Sequence, residues 1–164
     1  MSGRRTFLKV GLIGGALLAG GGLFALLAGR DAQRDRRDVL GAVMPVLLEG
    51  ALPADPVQRA SALAAGARAV DDAIGGLSPA AQEELGQLFA LLAMAPTRVL
   101  LTGVTSAWPQ ASAQEVHGFL ERWRFHSSDL LKSGYQALHD IVLGPWYAQE
   151  SQWQAIGYAG PLKL

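Results

Sequence analysis

Apolar residues recur through the middle of the chain at intervals of three and four positions, the spacing that places them on one face of a helix. Val39, Val43 and Leu47 begin the series, which continues through residues 63–74, 85–92, 116–123 and 131–142. Apolar and polar residues do not alternate anywhere for long enough to predict a sheet. The pattern predicts an all-α protein in which residues 39–144 form an irregular bundle of about five helices.

Capping residues mark the starts of several of these helices. Asp55 and Ser78 each precede a proline, so an oxygen that can accept from free amides stands before a residue suited to the first helical turn. Ser112 and Glu115 have the spacing of a capping box. A short helix is expected from Thr97 to Leu101, and a long one from Ser128.

The first 29 residues differ from the rest, because a short cationic stretch precedes an uncharged apolar run over residues 10–29. This layout is typical of an export signal. The stretch Gly-Arg-Arg-Thr-Phe-Leu-Lys resembles the twin-arginine consensus, Ser/Thr-Arg-Arg-x-Phe-Leu-Lys, except at its first position. Seven glycines make the run less hydrophobic than a Sec signal or an ordinary membrane anchor. The predicted export-signal residues are Arg4, Arg5, Phe7, Leu8 and Lys9.

The apolar run is either a cleaved twin-arginine signal or a retained membrane anchor, and its length and exit favour retention. In both cases the protein is expected on the periplasmic side of a bacterial inner membrane. A transmembrane helix needs about twenty apolar residues, which this run just provides. No Ala-x-Ala cleavage site follows it. Gly11, Gly15 and Ala19 would form a strip of small residues against which another helix can pack.

Two further segments lie outside the predicted bundle. Residues 30–38 are mainly charged, which indicates a solvated linker or the first exposed turn of a helix. The helical period is lost after Gly144, and residues 145–164 predict an aromatic C-terminal arm that packs on its own bundle or docks on a partner. Tryptophan and tyrosine are enriched at such interfaces. The predicted partner-binding residues are Trp108, Trp123, Trp146, Tyr147, Trp153 and Tyr158.

Composition and charge exclude several classes of function. The chain has no cysteine, so it holds no disulfide, thiol nucleophile, cysteine-ligated iron–sulfur cluster or Cys-x-x-Cys-His haem. The net charge is zero, but residues 39–164 contain seven basic and eleven acidic residues. Nucleic-acid binding needs a basic body, and we therefore predict no nucleic-acid partner.

No familiar catalytic or metal-binding motif is present, and we predict no catalytic residue, metal site or cofactor in this chain. The histidines have no metal-ligand spacing, and neighbouring carboxylates at 71–72 and 83–84 are expected to diverge on a helix. We also expect the side chains of His139 and Asp140 to diverge. The three histidines are His117, His126 and His139.

Four features together resemble a known family. They are the twin-arginine leader, the short helical body, the segment Leu-Leu-Glu-Gly-Ala-Leu-Pro at residues 47–53, and an end that reads Trp-Tyr at 146–147 and Ile-Gly-Tyr-Ala-Gly-Pro at 156–161. The chain is similar in organisation to the small subunits of membrane-bound flavin dehydrogenases of the glucose–methanol–choline class, such as the gluconate 2-dehydrogenase subunit 3 family. The resemblance spans most of the chain.

This resemblance implies a non-catalytic subunit that escorts a large flavoprotein subunit through the twin-arginine translocase, stabilises it and tethers it to the membrane. FAD is then expected in the partner, and electrons would leave through a further partner, a cytochrome c subunit, or through a quinone. Two alternatives remain open at the level of sequence. One is an independent periplasmic helical enzyme or ligand-binding module, and the other is an export or assembly factor for an oxidoreductase.

Overall fold

The computed structural model of the protein describes residues 31–149, which contain six α-helices, one turn of 3-10 helix and no strand. This part of the chain therefore confirms the predicted all-α class. The elements are α1 (Ala32–Leu47), α2 (Pro56–Gly75), α3 (Pro79–Ala93), α4 (Ala95–Thr102), the 3-10 turn η1 (Trp108–Gln110), α5 (Ala113–Arg124) and α6 (Asp129–Ala148).

Several of the sequence-based predictions fall outside these residues. The leader and anchor at 1–29 and the greater part of the aromatic arm lie there, as do the export-signal residues and two of the predicted partner-binding residues, Trp153 and Tyr158. All of these remain predictions.

Side chains cap the helices where the sequence predicts them. The Asp55 carboxylate accepts a hydrogen bond from the amide of Gln58 at 2.8 Å, at the start of α2. The Ser112 hydroxyl accepts from the Glu115 amide at 3.2 Å, and the Glu115 carboxylate accepts from the Ser112 amide at 2.9 Å. The predicted capping box of α5 is confirmed, and these bonds satisfy amides that have no partner within the helix.

The charged segment is helical from Ala32, so the linker interpretation of residues 30–38 was wrong for the residues described, and the helical alternative holds. Asp31 caps α1, because its carboxylate accepts from the amides of Gln33 and Arg34, both at 3.0 Å. Further along, Arg36 forms an ion pair with Asp71 of α2 at 2.9 Å. These contacts stabilise a first turn that has almost no apolar residues of its own.

The predicted start of the arm at residue 145 was also wrong, because α6 continues through Pro145 to Ala148. The reason lies in the packing of Trp146, which is only 1% exposed. Its ring lies so close to Gly66 of α2 that an added Cβ there would be 3.0 Å from Cε3. Burial of this large ring stabilises the last turn against the weak helix propensity of the Gly-Pro pair.

The core forms around α1, which contacts α2, α3, α5, α6 and η1, while α2 also packs along α6. The α5–α6 pair approaches closely at Gly134, where an added Cβ would lie 2.9 Å from Cε3 of Trp123 and closer still to Cζ3. Only glycine permits this approach without displacing the indole ring. The largest fully buried side chains include Phe89, Phe119, Leu138 and Val43.

Within residues 31–149, no single helix combines the length and hydropathy needed to cross a membrane. The pair formed by α3 and α4 meets the criteria of length and composition only when the two helices are taken together, across a bend of 91°.

Candidate interaction surfaces

Two predicted partner-binding residues, Trp108 and Trp123, lie in the core with exposures of 2% and 3%. Each indole N–H donates to a backbone carbonyl in the last turn of a helix. Trp108 donates to Leu92 of α3 at 2.7 Å, and Trp123 donates to Leu101 of α4 at 2.9 Å. Carbonyls at helix C-termini lack donors within the helix, so these bonds satisfy groups that would otherwise be orphaned. Because both rings are buried, Trp108 and Trp123 are core residues and are no longer candidates for docking a partner.

Trp146 and Tyr147, at the end of α6, have different environments. Trp146 is buried, and its Nε1 has no hydrogen-bond partner in the structure described for residues 31–149. Tyr147 is half-buried and packs against the core. Trp146 is therefore a core residue, and only Tyr147 among the four described candidates retains substantial exposure.

A polar junction fixes the chain where α4 ends. Arg98 is 7% exposed and donates from Nε to the Val104 carbonyl at 3.2 Å and from Nη2 to the Thr105 carbonyl at 3.3 Å. Arg122 of α5 donates to the carbonyl of Thr102. These two guanidinium groups bind backbone oxygens and hold the turn that follows α4, which assigns them a structural role.

Next to this junction lie three exposed apolar side chains that sequence analysis did not single out. They are Val99 (43% exposed) and Leu100 (82%) on α4, and Phe125 (72%) at the end of α5. We call this set the α4–α5 apolar surface. The guanidinium carbon of Arg124 lies 5.2 Å from the centre of the Phe125 ring. The sequence does contain an indication of this surface. Residues 99 and 100 are both apolar and lie on a helix of only eight residues, and such a short helix cannot bury all of its faces.

A groove between α1 and α2 has an apolar floor and a cationic rim. Its volume is about 370 Å³, which falls within the range of small-ligand sites, about 300–1,000 Å³. We call it the arginine groove. The apolar floor contains Leu40, Met44, Leu63 and Ala67, with Gly41, Pro45 and Ala64 at its edges, and the polar rim contains Gln33, Arg36, Arg37, Arg68 and Asp71.

The rim of this groove is a basic site on an acidic body. Residues 31–149 contain nine basic and thirteen acidic residues, and three of the nine basic residues lie here. Arg36 is held by Asp71. Arg37 and Arg68 are exposed, and no carboxylate in the described part of the chain pairs with either. The sequence shows Arg37 as one of a charged run, but only the fold brings Arg68 beside it.

A second hollow, of about 390 Å³, lies on the other side of α1, between that helix and η1. Arg37, Gly41 and Pro45 line both hollows, so the outer edge of α1 forms a low ridge between them. An added Cβ on Gly41 would meet nothing within 4 Å, so no neighbouring side chain covers the ridge at this position.

Within residues 31–149, no three histidine or acidic side chains lie close enough together to hold a metal ion. The expectation that His139 and Asp140 diverge was wrong, because Nδ1 and Oδ1 are 3.2 Å apart. Hydrogen bonds from the amide and hydroxyl of Ser112 hold the pKa of Glu115 below its ordinary value of 4.5, with a smaller contribution from the Ser106 hydroxyl. That shift belongs to the helix cap and marks no reactive centre.

Comparison with protein-family models, curated proteins and solved structures finds no match for this chain. The similarity to small dehydrogenase subunits therefore remains a prediction from the sequence.

Proposed function

We propose that this protein is a non-catalytic small subunit that accompanies a periplasmic flavin-dependent dehydrogenase through the twin-arginine route, stabilises it and tethers it to the inner membrane. The observation that carries the proposal is the leader motif, in which Arg4, Arg5, Phe7, Leu8 and Lys9 stand in register ahead of an apolar run. FAD would belong to the large subunit, and a cytochrome c would be a further partner.

The arrangement of the body supports this function. The twin-arginine translocase accepts folded cargo, and α1 begins at Ala32, only three residues after the apolar run ends at Gly29. Indole and guanidinium donors satisfy carbonyls at the ends of α3 and α4, which suits a body that folds before export. A flavoprotein that binds its cofactor in the cytoplasm could then leave bound to this folded carrier.

The α4–α5 apolar surface is the part of the body that we assign to the partner. Leu100 and Phe125 together expose large apolar groups to water, and covering such groups is favourable by about 25 cal/mol per Å². Both side chains lie near the end of α4, where the Arg122 guanidinium and the Trp123 indole donate to backbone carbonyls of that helix.

The route is tested with a tagged full-length chain in its native host, comparing wild type with an Arg4→Lys/Arg5→Lys variant. Lysine retains the charge but not the guanidinium geometry. We expect cell fractionation to show that the variant accumulates in the cytoplasm, together with its flavoprotein. An Arg59→Lys variant makes the same exchange at an exposed position outside the leader and should be exported normally.

The partner is tested by affinity purification of the wild-type chain from membranes. Recovery of a second protein whose released cofactor has the absorbance of FAD is the expected result. Purification without any flavoprotein would reject the partner, whereas undiminished export of the lysine variant would reject the route.

The arginine groove favours a second candidate, a periplasmic ligand-binding module. Its volume and its combination of an apolar floor with charged groups are those of a small-ligand site. A water-soluble metabolite that co-purifies with the chain in the absence of a flavoprotein would support this function over the first.

A further inference from the structure

We propose that the arginine groove binds the headgroup of an anionic phospholipid and so holds the helical body against the membrane surface. The inference rests on one element of the proposed function, namely that the apolar run stays in the membrane. It assigns this groove a ligand class and the body an orientation relative to the lipid.

The position of the groove along the chain fits this ligand. Arg36 and Arg37 follow the end of the apolar run at Gly29 by seven and eight residues. With a rise of about 1.5 Å per residue, Arg37 lies only about 8 Å along α1 from its first residue, Ala32. The headgroup layer on each side of a bilayer is about 5–7 Å thick, so a retained anchor would hold the backbone of Arg36 and Arg37 just outside it, and their long side chains could reach back to a phosphate.

The chemistry of the rim fits a phosphodiester. Guanidinium groups bind phosphate through paired N–H donors in a fixed planar geometry. Arg37 and Arg68 approach from α1 and α2 respectively, and neither pairs with a carboxylate in residues 31–149. The third guanidinium, of Arg36, is oriented by its ion pair with Asp71 and keeps part of its surface accessible. Together these groups could surround one phosphate.

The floor fits the apolar part of a phospholipid that adjoins its phosphate. Leu40, Met44 and Leu63 provide an apolar surface directly below the rim. The first methylene groups of an acyl chain would cover these residues, while the phosphate stays among the guanidinium groups. A free phosphate would use the rim alone and leave the floor in contact with water.

The charge of the C-terminal segment, residues 150–164, argues against this segment as the occupant of the arginine groove. The only acidic side chain in residues 150–164 is Glu150, and Lys163 opposes it. The side chains of that segment therefore carry no net charge to match Arg37 and Arg68, the two arginines of the rim that pair with no carboxylate in residues 31–149. An acidic helix of a partner protein is the remaining alternative, and a comparison of lipid binding with partner retention distinguishes it.

The test uses the purified full-length chain in a mild detergent and native mass spectrometry with added phosphatidylglycerol or phosphatidylcholine. Wild type should bind phosphatidylglycerol more tightly, and the preference should weaken as salt increases. Replacing both open guanidinium groups, in Arg37→Gln/Arg68→Gln, should reduce affinity for phosphatidylglycerol by about tenfold to thirtyfold, because each basic residue near a lipid surface contributes about fivefold.

The matched control is Arg59→Gln/Lys132→Gln, which removes two exposed basic residues that do not line the groove. It should bind both lipids as wild type does. A charge-retaining Arg37→Lys/Arg68→Lys variant should recover part of the affinity. Thermal unfolding followed by circular dichroism should show equal midpoints for all four proteins, since the substituted side chains are exposed.

Three results would overturn the proposal: equal phosphatidylglycerol binding by wild type and the Arg37→Gln/Arg68→Gln variant, wild-type affinity for glycerol phosphate as high as for the lipid, or loss of a co-purifying flavoprotein from that variant while lipid binding persists. The last result would assign the groove to the partner and leave the escort function intact. Absence of a flavoprotein from wild type, with lipid binding preserved, would reject the escort function alone.

Discussion

Trp108, Trp123 and Trp146 are all buried, yet they use their indole groups differently. The first two satisfy carbonyl oxygens at the ends of α3 and α4, whereas the Nε1 of Trp146 has no hydrogen-bond partner within residues 31–149. At Trp146 the apolar area of the ring contributes to stability, whereas the indole N–H does not. A buried N–H without an acceptor is destabilising. The same residue type therefore contributes to stability through different interactions at the three positions.

This difference predicts a ranking for substitution by phenylalanine, which removes the N–H and part of the ring at each site. Trp108→Phe and Trp123→Phe each leave a carbonyl without a donor, at a cost of about 1–3 kcal/mol, whereas Trp146→Phe removes an unpaired donor. We expect the first two to lower the thermal midpoint by about 2–10 °C more than the third. Circular dichroism of the full-length proteins measures this, and an equal or larger loss for Trp146→Phe would contradict it.

Among the helices, α5 has the most complete N-terminal cap. Ser112 and Glu115 exchange two hydrogen bonds between side chain and backbone, and the Ser106 hydroxyl donates to the same carboxylate at 3.2 Å. All of these donors favour the ionised form of Glu115, which explains the direction of its pKa. The negative charge also lies at the positive end of the helix dipole.

The lowered pKa of Glu115 predicts a specific response to acid. Because the folded pKa lies below the ordinary value of 4.5, ionised Glu115 stabilises the fold above that pH, and the contribution is lost as the pH falls through the folded pKa. A Glu115→Gln variant can keep the capping geometry but does not titrate. Its thermal midpoint should therefore fall less steeply than that of wild type below pH 4.5.

Ser112→Ala provides the control for this measurement, because it removes the hydroxyl donor but keeps the amide donor. Its acid dependence should lie between those of wild type and Glu115→Gln. Identical slopes for all three proteins would show that the cap does not couple to the titration of this carboxylate.

At the scale of the whole molecule, the helical body formed by residues 31–149 presents two surfaces of different chemistry. The arginine groove between α1 and α2 combines an apolar floor with three guanidinium groups, whereas the α4–α5 apolar surface exposes Val99, Leu100 and Phe125. A body with one surface for lipid and another for protein could join a soluble flavoprotein to a membrane without chemistry of its own.

The role proposed for the α4–α5 apolar surface can be tested by substitution. A Leu100→Ser/Phe125→Ser variant should release the co-purifying flavoprotein, because it removes apolar area that the partner would cover. Its thermal midpoint in isolation should stay close to that of wild type, since both side chains are mostly exposed. Val57→Ser is the matched control, since Val57 is 78% exposed but lies in the first turn of α2. Partner retention that is equal in all three proteins would exclude the α4–α5 apolar surface.

Much of the secondary structure could be predicted because its causes are local. Asp55, Ser78 and Ser112 cap their helices through bonds to amides three residues ahead, which spacing alone reveals. The end of α6 could not be predicted in this way. Gly144 and Pro145 indicate a stop, and only the packing of Trp146 against α2 explains why the helix continues.

The candidate surfaces were less predictable than the helices. Aromatic composition pointed to Trp108 and Trp123 as docking residues, but a large ring serves a core or an interface equally well, and burial distinguishes the two uses. The rim of the groove depends on Arg68, which is more than thirty positions from Arg36 in the sequence.

The order of residues by itself determined the all-α class and most helix starts, because helical periodicity and capping act over a few neighbouring positions. It also predicts the export leader. Only the tertiary structure decided which tryptophans are core, which apolar residues stay exposed and which arginines share a rim. Burial and exposure depend on contacts between helices that are distant along the chain. The free energy gained by burying a large side chain at such a contact exceeds the differences in helix propensity between residues.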